Sequence, residues 1–241
     1  MKGKKMSTII KAVSKNLDLS QNMPLKDLIY EAFRKTVILG EIPAGERINE
    51  KEFSENMNIS RTPIRYALKK LTEEDLVKHV PGVGVVVKGI SIKDAYEIYD
   101  IRKALDTLAT TTAMKLMTPE DFKAMRLHLE HCEVLNQEDK VEELQQKFFE
   151  FNEFIYEKSQ MLRLKSIVMK LSEYLMYFRD ISISSKERRD FALAEHWLIY
   201  RGMKTQDALQ IQLITYEHLD RSLNFIVKEM EKRKIDFETN E

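Results

Sequence analysis

A single cysteine, Cys132, stands in a chain of 241 residues. An intramolecular disulfide framework and a cysteine-rich zinc module are thereby excluded. Glycine and proline are also scarce, at seven and five, and so few chain breakers favour a helix-rich fold. No apolar run approaches the ~18 residues of a membrane span. The opening stretch, MKGKKMSTIIKAVSKNLDLSQ, starts basic but lacks a continuous apolar core and a small-residue cleavage site. It does not read as a secretory signal, and a cytoplasmic location is expected. Catalytic signatures are missing too: there is no HExxH, no glycine-rich phosphate loop and no GxSxG. An enzyme is not expected.

What the chain has is charge, and it is unevenly spread. Lysine plus arginine and aspartate plus glutamate number 39 each, for a net charge of zero. Residues 1–90 hold 16 basic and 11 acidic residues, a net of +5, so the remaining 23 basic and 28 acidic residues give −5. Only the front of the chain is suited to meet a polyanion.

The periodicity supports the same division. Leu25, Ile29, Phe33 and Val37 repeat at four-residue spacing, which predicts a helix over Pro24–Leu39 with Gly40 as its C-terminal cap. The turn segment EIPAGER follows. A short helix, INEKEFSENMN, has Asn49 and Glu52 at capping spacing. Ser60 is placed to cap the next helix, with Pro63 in its first turn and Ile64, Leu68 and Leu71 on its inner face. LVKHV and VVVKGI then flank PGVG, a hairpin with a glycine-bearing tip. Helix, helix, turn, helix and hairpin make a winged helix-turn-helix. From Ser91 onward no strand is expected. A long helix to Met117, with Ile98, Ile101, Leu105, Leu108 and Leu116 as its apolar face, starts a run of amphipathic helices that reads as a bundle. The expected fold is mostly α: an N-terminal winged helix-turn-helix plus a C-terminal all-α helical bundle. The domains are an N-terminal extension (1–22), the winged unit (23–90), the helical unit (91–235) and a tail (236–241).

The stretch ISRTPIRYALKKL carries the chemistry. Arg61 and Arg65 lie four apart, so they point the same way, opposite the core face. A helix fits the major groove of B-DNA and meets base edges with its first turn. Arginine's planar fork matches guanine or a phosphate, and free backbone N–H groups with a hydroxyl suit a phosphate oxygen. A solvated polar face is the bland alternative, weakened by the short helix before it and the hairpin after it.

LGEIPAGERINEKEF, ISRTPIRYALKKL and PGVGVVV together resemble the winged domain of GntR-type bacterial transcription regulators, over residues 23–90. The remainder is similar to the helical FCD-type ligand-binding domain of the FadR-like subgroup. The resemblance implies that Arg61 and Arg65 read the operator, that Ser60 and Thr62 face the groove, that Lys51 contacts phosphate or base, and that Gly84 lets the wing approach DNA. Tyr66 and Asp75 depart from the family pattern, which has Glu and Gly there.

The resemblance further implies a cavity that many members fill with a divalent metal such as Zn, Ni or Mn. His196 and His218 match two family ligand positions, but Phe148 and Asn152 stand where an aspartate and a third histidine belong. Asn152, His196 and His218 are therefore candidate metal ligands with an incomplete set, or direct effector contacts, or satisfied core histidines. Arg102 suits an anionic effector or an internal salt bridge, and Arg179 is a weaker candidate. His79, His128 and His131 are expected at the surface. The implied function is a regulator binding double-stranded, near-palindromic operator DNA as a homodimer, under control of an organic or sugar acid. The alternative is a DNA-binding protein whose helical unit is purely structural.

Overall fold

The computed structural model describes residues 8–183 and 185–235. The tail and the first seven residues of the extension lie outside them. The chain divides into two compact units, one running to Ile92 and including the segment from Glu231, the other Lys93–Met230.

In the first unit, α1 (Thr8–Asn16) and α2 (Leu25–Ile38) precede a two-residue strand, β1 (Arg47–Ile48). Then come α3 (Glu50–Met57), α4 (Arg61–Glu73), β2 (Val77–Val80) and β3 (Gly84–Val87). The extension is built into this unit, because α1 buries Ile10 and Val13 completely and packs on α2 and α3. Helix α2 turns Ile29, Phe33 and Val37 inward, and the Phe33 ring lies 4.7 Å from that of Phe53 on α3. Leu25, expected in the same stripe, is 43% exposed because it opens the first turn, beyond the core's edge. Gly40 adopts φ +67°, ending α2 with a left-handed residue. A Cβ there would come within 2.8 Å of Ile235, which is itself buried in this unit.

The EIPAGER segment is more than a turn. It leads into β1, which pairs antiparallel with β3, so the hairpin becomes a three-stranded sheet of order β1-β3-β2. Register places Arg47 opposite Val86, and Val80 opposite Gly84. Two residues carry too little pattern to read as a strand alone; β3 recruits them.

The second unit contains α5 (Ile92–Leu116), α6 (Pro119–Gln137), α7 (Val141–Lys158), α8 (Leu162–Ser182), α9 (Lys186–Thr205) and α10 (Ala208–Lys232), the last of these ending in the first unit. Thr118 and Asp121 form the expected capping box at the start of α6. The core runs through Met114, Met125, Leu129, Leu144, Phe151 and Met203, all at most 2% exposed. Helix α5 departs from expectation. Of its predicted apolar face Ile98 is buried, while Ile101, Leu108 and Leu116 are 40–48% exposed. The inward stripe is instead Ala95, Tyr99, Arg102, Asp106, Ala109 and Ala113. Small residues and a polar pair let the neighbouring helices approach, and counting large aliphatics missed them.

Candidate DNA interface and effector cavity

The start of α4 carries few internal commitments. Ser60 occupies the N-cap position in extended conformation (φ −67°, ψ 160°), but its hydroxyl makes no cap hydrogen bond, contrary to its expected capping role. Ser60, Arg61 and Thr62 are all exposed. The expected cap is thus absent, and the hydroxyl stays open to solvent beside the helix's N-terminal N–H groups. Such a terminus attracts an anion through its unpaired donors and its dipole. Arg61 makes no ion pair among the described residues. Arg65 does: its Nε donates to Glu50 Oε2 at 2.8 Å, across the turn between α3 and α4. That side chain remains 64% exposed, so one edge of its guanidinium is steadied while the side chain stays open to solvent. Glu50 was not singled out by the sequence, because a pair fifteen residues apart leaves no local signal.

Lys51 sits exposed on α3, loosely paired with Glu55 at 3.8 Å. Asn49 caps that helix, accepting from the N–H groups of Lys51 and Glu52. Asn58 closes it in a left-handed conformation (φ 52°), which sets the tight turn into Ser60. Gly84 opens β3 at φ +109°, a conformation that strains any side chain. Arg47, which the sequence reading passed over, is exposed on β1 with its guanidinium beside Gly84. Tyr66 lies beneath Lys26, at 4.8 Å from ring centroid to ammonium, with Lys70 at 5.7 Å. Asp75 takes the left-handed position (φ 61°) that ends α4 and pairs with Lys88.

The helical unit contains a cavity of about 30 Å³. In this conformation it is narrow, with room for little more than a water. Arg102, Arg179, Arg188, His196 and His218 all line it, and none of its described lining residues is acidic. Arg102 is 7% exposed and its Nη2 donates to Asp106 Oδ2 at 3.0 Å, realising the internal salt bridge weighed from the sequence. The Tyr156 hydroxyl donates to the other carboxylate oxygen at 2.9 Å.

His196 is 3% exposed. Phe151 stacks on it at 4.3 Å and Phe148 meets it edge-on at 4.9 Å. Burial, reinforced by His218 and Arg188, holds its pKa well below the ordinary imidazole value. His218 lies 5.4 Å away between ring centroids, and its Nδ1 pairs with Glu195 Oε2 at 2.9 Å. Burial alone would raise the Glu195 pKa. The hydrogen bond from His218 and the charges of Arg188 and Arg221 outweigh it and keep the carboxyl below its usual range. With Glu195 ionised, Nδ1 is the donor. Asn152 turns its amide NH₂ to the Phe148 carbonyl at 3.1 Å, back along its own helix. His79 and His131 are exposed, as expected. His128 is not a surface residue: it is half-buried, bonded to the Lys147 carbonyl at 2.8 Å, with a pKa lowered by burial. The packing of α6 on α7, invisible in sequence, covers it.

Two family profiles match these two regions. That of the bacterial regulatory proteins of the gntR family matches residues 25–87, and that of the FCD domain matches residues 97–221, more than half of the chain. This chain belongs to the GntR family, as a member with an FCD domain. It is a transcriptional regulator with a DNA-binding helix-turn-helix and an effector-domain fold, and the proteins it resembles are DNA-binding regulators, not enzymes. It is 26% identical over 207 residues to the HTH-type transcriptional regulator YdhC of Bacillus subtilis, covering 83% of this chain and 91% of that protein. It is 28% identical over 208 residues to the gluconate operon transcriptional repressor of the same species, covering 78% and 85%. The solved structure of E. coli McbR/YncC shares the fold, with a TM-score of 0.60 at 20% identity over 86% of this chain and 98% of that one. No described helix of this GntR regulator is long and apolar enough to cross a membrane.

The metal expected from the family does not fit these residues. Phe148 supplies a ring where a carboxylate would be needed, and packs against His196. Asn152 offers only a neutral amide, a weak donor for Zn, Ni or Mn. His218 donates its Nδ1–H to Glu195 and keeps Nε2, but with His196 it is one of only two imidazoles among the described lining residues, too few to hold such a metal alone. Among the described residues no cluster of three or more His, Cys, Asp or Glu side chains could hold a metal ion.

Proposed function

We propose that this GntR regulator acts in the cytoplasm as a homodimer that binds a near-palindromic operator and represses transcription until a small acid enters the helical unit. The observation that carries the reading is the first turn of α4. Two arginines, two hydroxyls and unpaired backbone donors are presented together to solvent, while Ile64, Ala67, Leu68 and Leu71 anchor the helix in its core. Arg61 and Arg65 read base edges, Ser60, Thr62 and Lys51 take phosphates, and Gly84 brings the wing to the backbone. One such module covers a few base pairs, so two copies on two half-sites are needed for specificity. Exposed apolar side chains on the helical unit support the dimer: Leu209 and Leu213 on α10 are 74% and 67% exposed.

The cavity supports control by an acid. Its lining includes Arg102 and both histidines, and Asn152 adds an amide. The relative named for a gluconate operon makes sugar acids the first ligands to try. The test is a gel-shift selection from a library of DNA fragments with the full chain, repeated with pooled organic and sugar acids. Retention of fragments sharing an inverted repeat, and their release by an acid pool, is the expected result. Binding indifferent to sequence would overturn the operator reading. Specific binding that no acid alters would favour the purely structural helical unit.

A further inference from the structure

Four described residues bury a polar side-chain atom without a hydrogen-bond partner: Arg102 at Nε, Thr107 at Oγ1, Arg188 at Nε and Nη1, and His196 at Nδ1. Three of the four line the same cavity. Native proteins leave few such groups unpartnered, and where they do, a functional reason is expected. Arg188 is the extreme case. It is 3% exposed, and its guanidinium lies over the Phe225 ring at 4.6 Å, which fixes its plane. Among the described residues it pairs only with Glu195, 3.8 Å from Nη1 and beyond hydrogen-bond reach. Glu195 is in any case engaged by His218 at 2.9 Å and by Arg221 at 3.4 Å. Burial lowers the Arg188 pKa, the mark of a charge that its surroundings do not fully compensate.

We infer that Arg188 is the anion-binding residue of this cavity, and that it holds the oxyanion of a compact acid directly, with no metal between them. The inference rests on the reading of the helical unit as an effector-binding domain, and adds the residue and the ligand chemistry. A metal site needs anionic or imidazole ligands converging on one point, and here Phe148 and Asn152 occupy two of the required places. The cavity presents the opposite complement: cationic side chains, no described acidic lining residue, and unpartnered donors on Arg188 and Arg102. The Nε–H and Nη1–H groups of Arg188 can each donate to an oxyanion, and Arg102 Nε–H adds a further donor. Gln145, Asn152 and Ser222 supply neutral groups along the same lining, suited to hydroxyls. The ligand class is therefore a hydroxylated acid, carboxylic or phosphorylated. The narrow bore requires the helices to part as it enters, so binding and conformational change are linked.

The test uses the full-length protein, the operator it selects, and four probes: D-gluconate, 6-phosphogluconate, citrate and inorganic phosphate, each with and without EDTA. At least one probe is expected to raise the wild-type melting temperature by several degrees, equally in EDTA. Arg188→Met is expected to lose that response and yet melt at or above the wild-type temperature, since a buried guanidinium with no hydrogen bond at Nε or Nη1 gives way to an apolar chain of similar length. Response to inorganic phosphate and 6-phosphogluconate but to neither gluconate nor citrate assigns a phosphate, and response to gluconate or citrate but not to inorganic phosphate assigns a carboxylate. A variant that melts several degrees lower would make Arg188 a structural partner of Glu195 and overturn the inference. So would a response retained in Arg188→Met. A response abolished by EDTA would sink the metal-free binding while leaving effector control intact, provided the same probe still releases wild-type protein from operator DNA. If no probe shifts the wild type or releases it from DNA, the inference and the acid-effector reading both fail.

Discussion

The arginines at the start of α4 and those lining the helical unit's cavity are held in opposite ways, although the winged unit also buries an arginine, Arg34, against Glu74. On α4 Arg61 and Arg65 stand in solvent, and the ion pair that Arg65 makes with Glu50 is 64% and 31% exposed. In the helical unit Arg102, Arg188 and Arg189 are each 7% exposed or less. An exposed guanidinium costs the fold little and keeps its donors for a large external polyanion. A buried one is held at a desolvation cost that must be met by a fixed carboxylate or by a ligand. Arg102 has its carboxylate in Asp106. Arg188 has no hydrogen-bonding carboxylate, and the contrast between these two side chains is what marks the cavity.

The comparison is sharpest where a partner is removed. Asp106→Ala strands Arg102 in the helical core and also deprives the Tyr156 hydroxyl of its acceptor. A loss of about 3–5 kcal/mol is expected in urea unfolding, as for breaking one side of a buried pair. A loss below about 1 kcal/mol would show that water reaches Arg102 and that the pair is not truly buried. In the winged unit, Asp75→Gly relieves the left-handed backbone at the end of α4 and gives up only an exposed pair with Lys88. A gain of up to about 1 kcal/mol is expected, measured by the same urea unfolding. A loss would mean that the Lys88 contact outweighs the backbone strain. Smallest of all, Glu50→Gln should change folding stability by less than about 1 kcal/mol, as expected of a surface pair. Removing that negative charge beside the duplex should raise affinity for DNA of any sequence, read by fluorescence anisotropy on a scrambled fragment. Weaker binding would instead assign Glu50 the task of aiming Arg65.

The winged unit was largely legible in the sequence because its signals are local. Ile64, Leu68 and Leu71 fix the inner face of α4, Pro63 fixes its start, and Arg61 and Arg65 follow from helical spacing. Ser60 was placed at the right position but given the wrong bond, since the position is set by the chain and the hydroxyl by its surroundings. Strand β1 was missed because only β3 makes it a strand. The helical unit was legible as a set of helices and much less as a site. The apolar face of α5 was misread because its core contacts run through alanines and an ion pair. His196 and His218 follow from the resemblance to the family. Arg188 was not, since KERRDFA reads as a solvated helix start until the bundle packs over it. Burial of a charged side chain is a tertiary fact, and no spacing announces it.

Central to the account is that the first turn of α4 lies against base edges, and its most direct test is the affinity of Arg65→Ala for the operator selected by the wild-type chain. Circular dichroism and melting should match the wild type, because the lost pair with Glu50 is exposed. Anisotropy should show the specific affinity falling by about 1–3 kcal/mol for each half-site, to the level of scrambled DNA. A folded Arg65→Ala that binds the operator as tightly as the wild type would contradict the account.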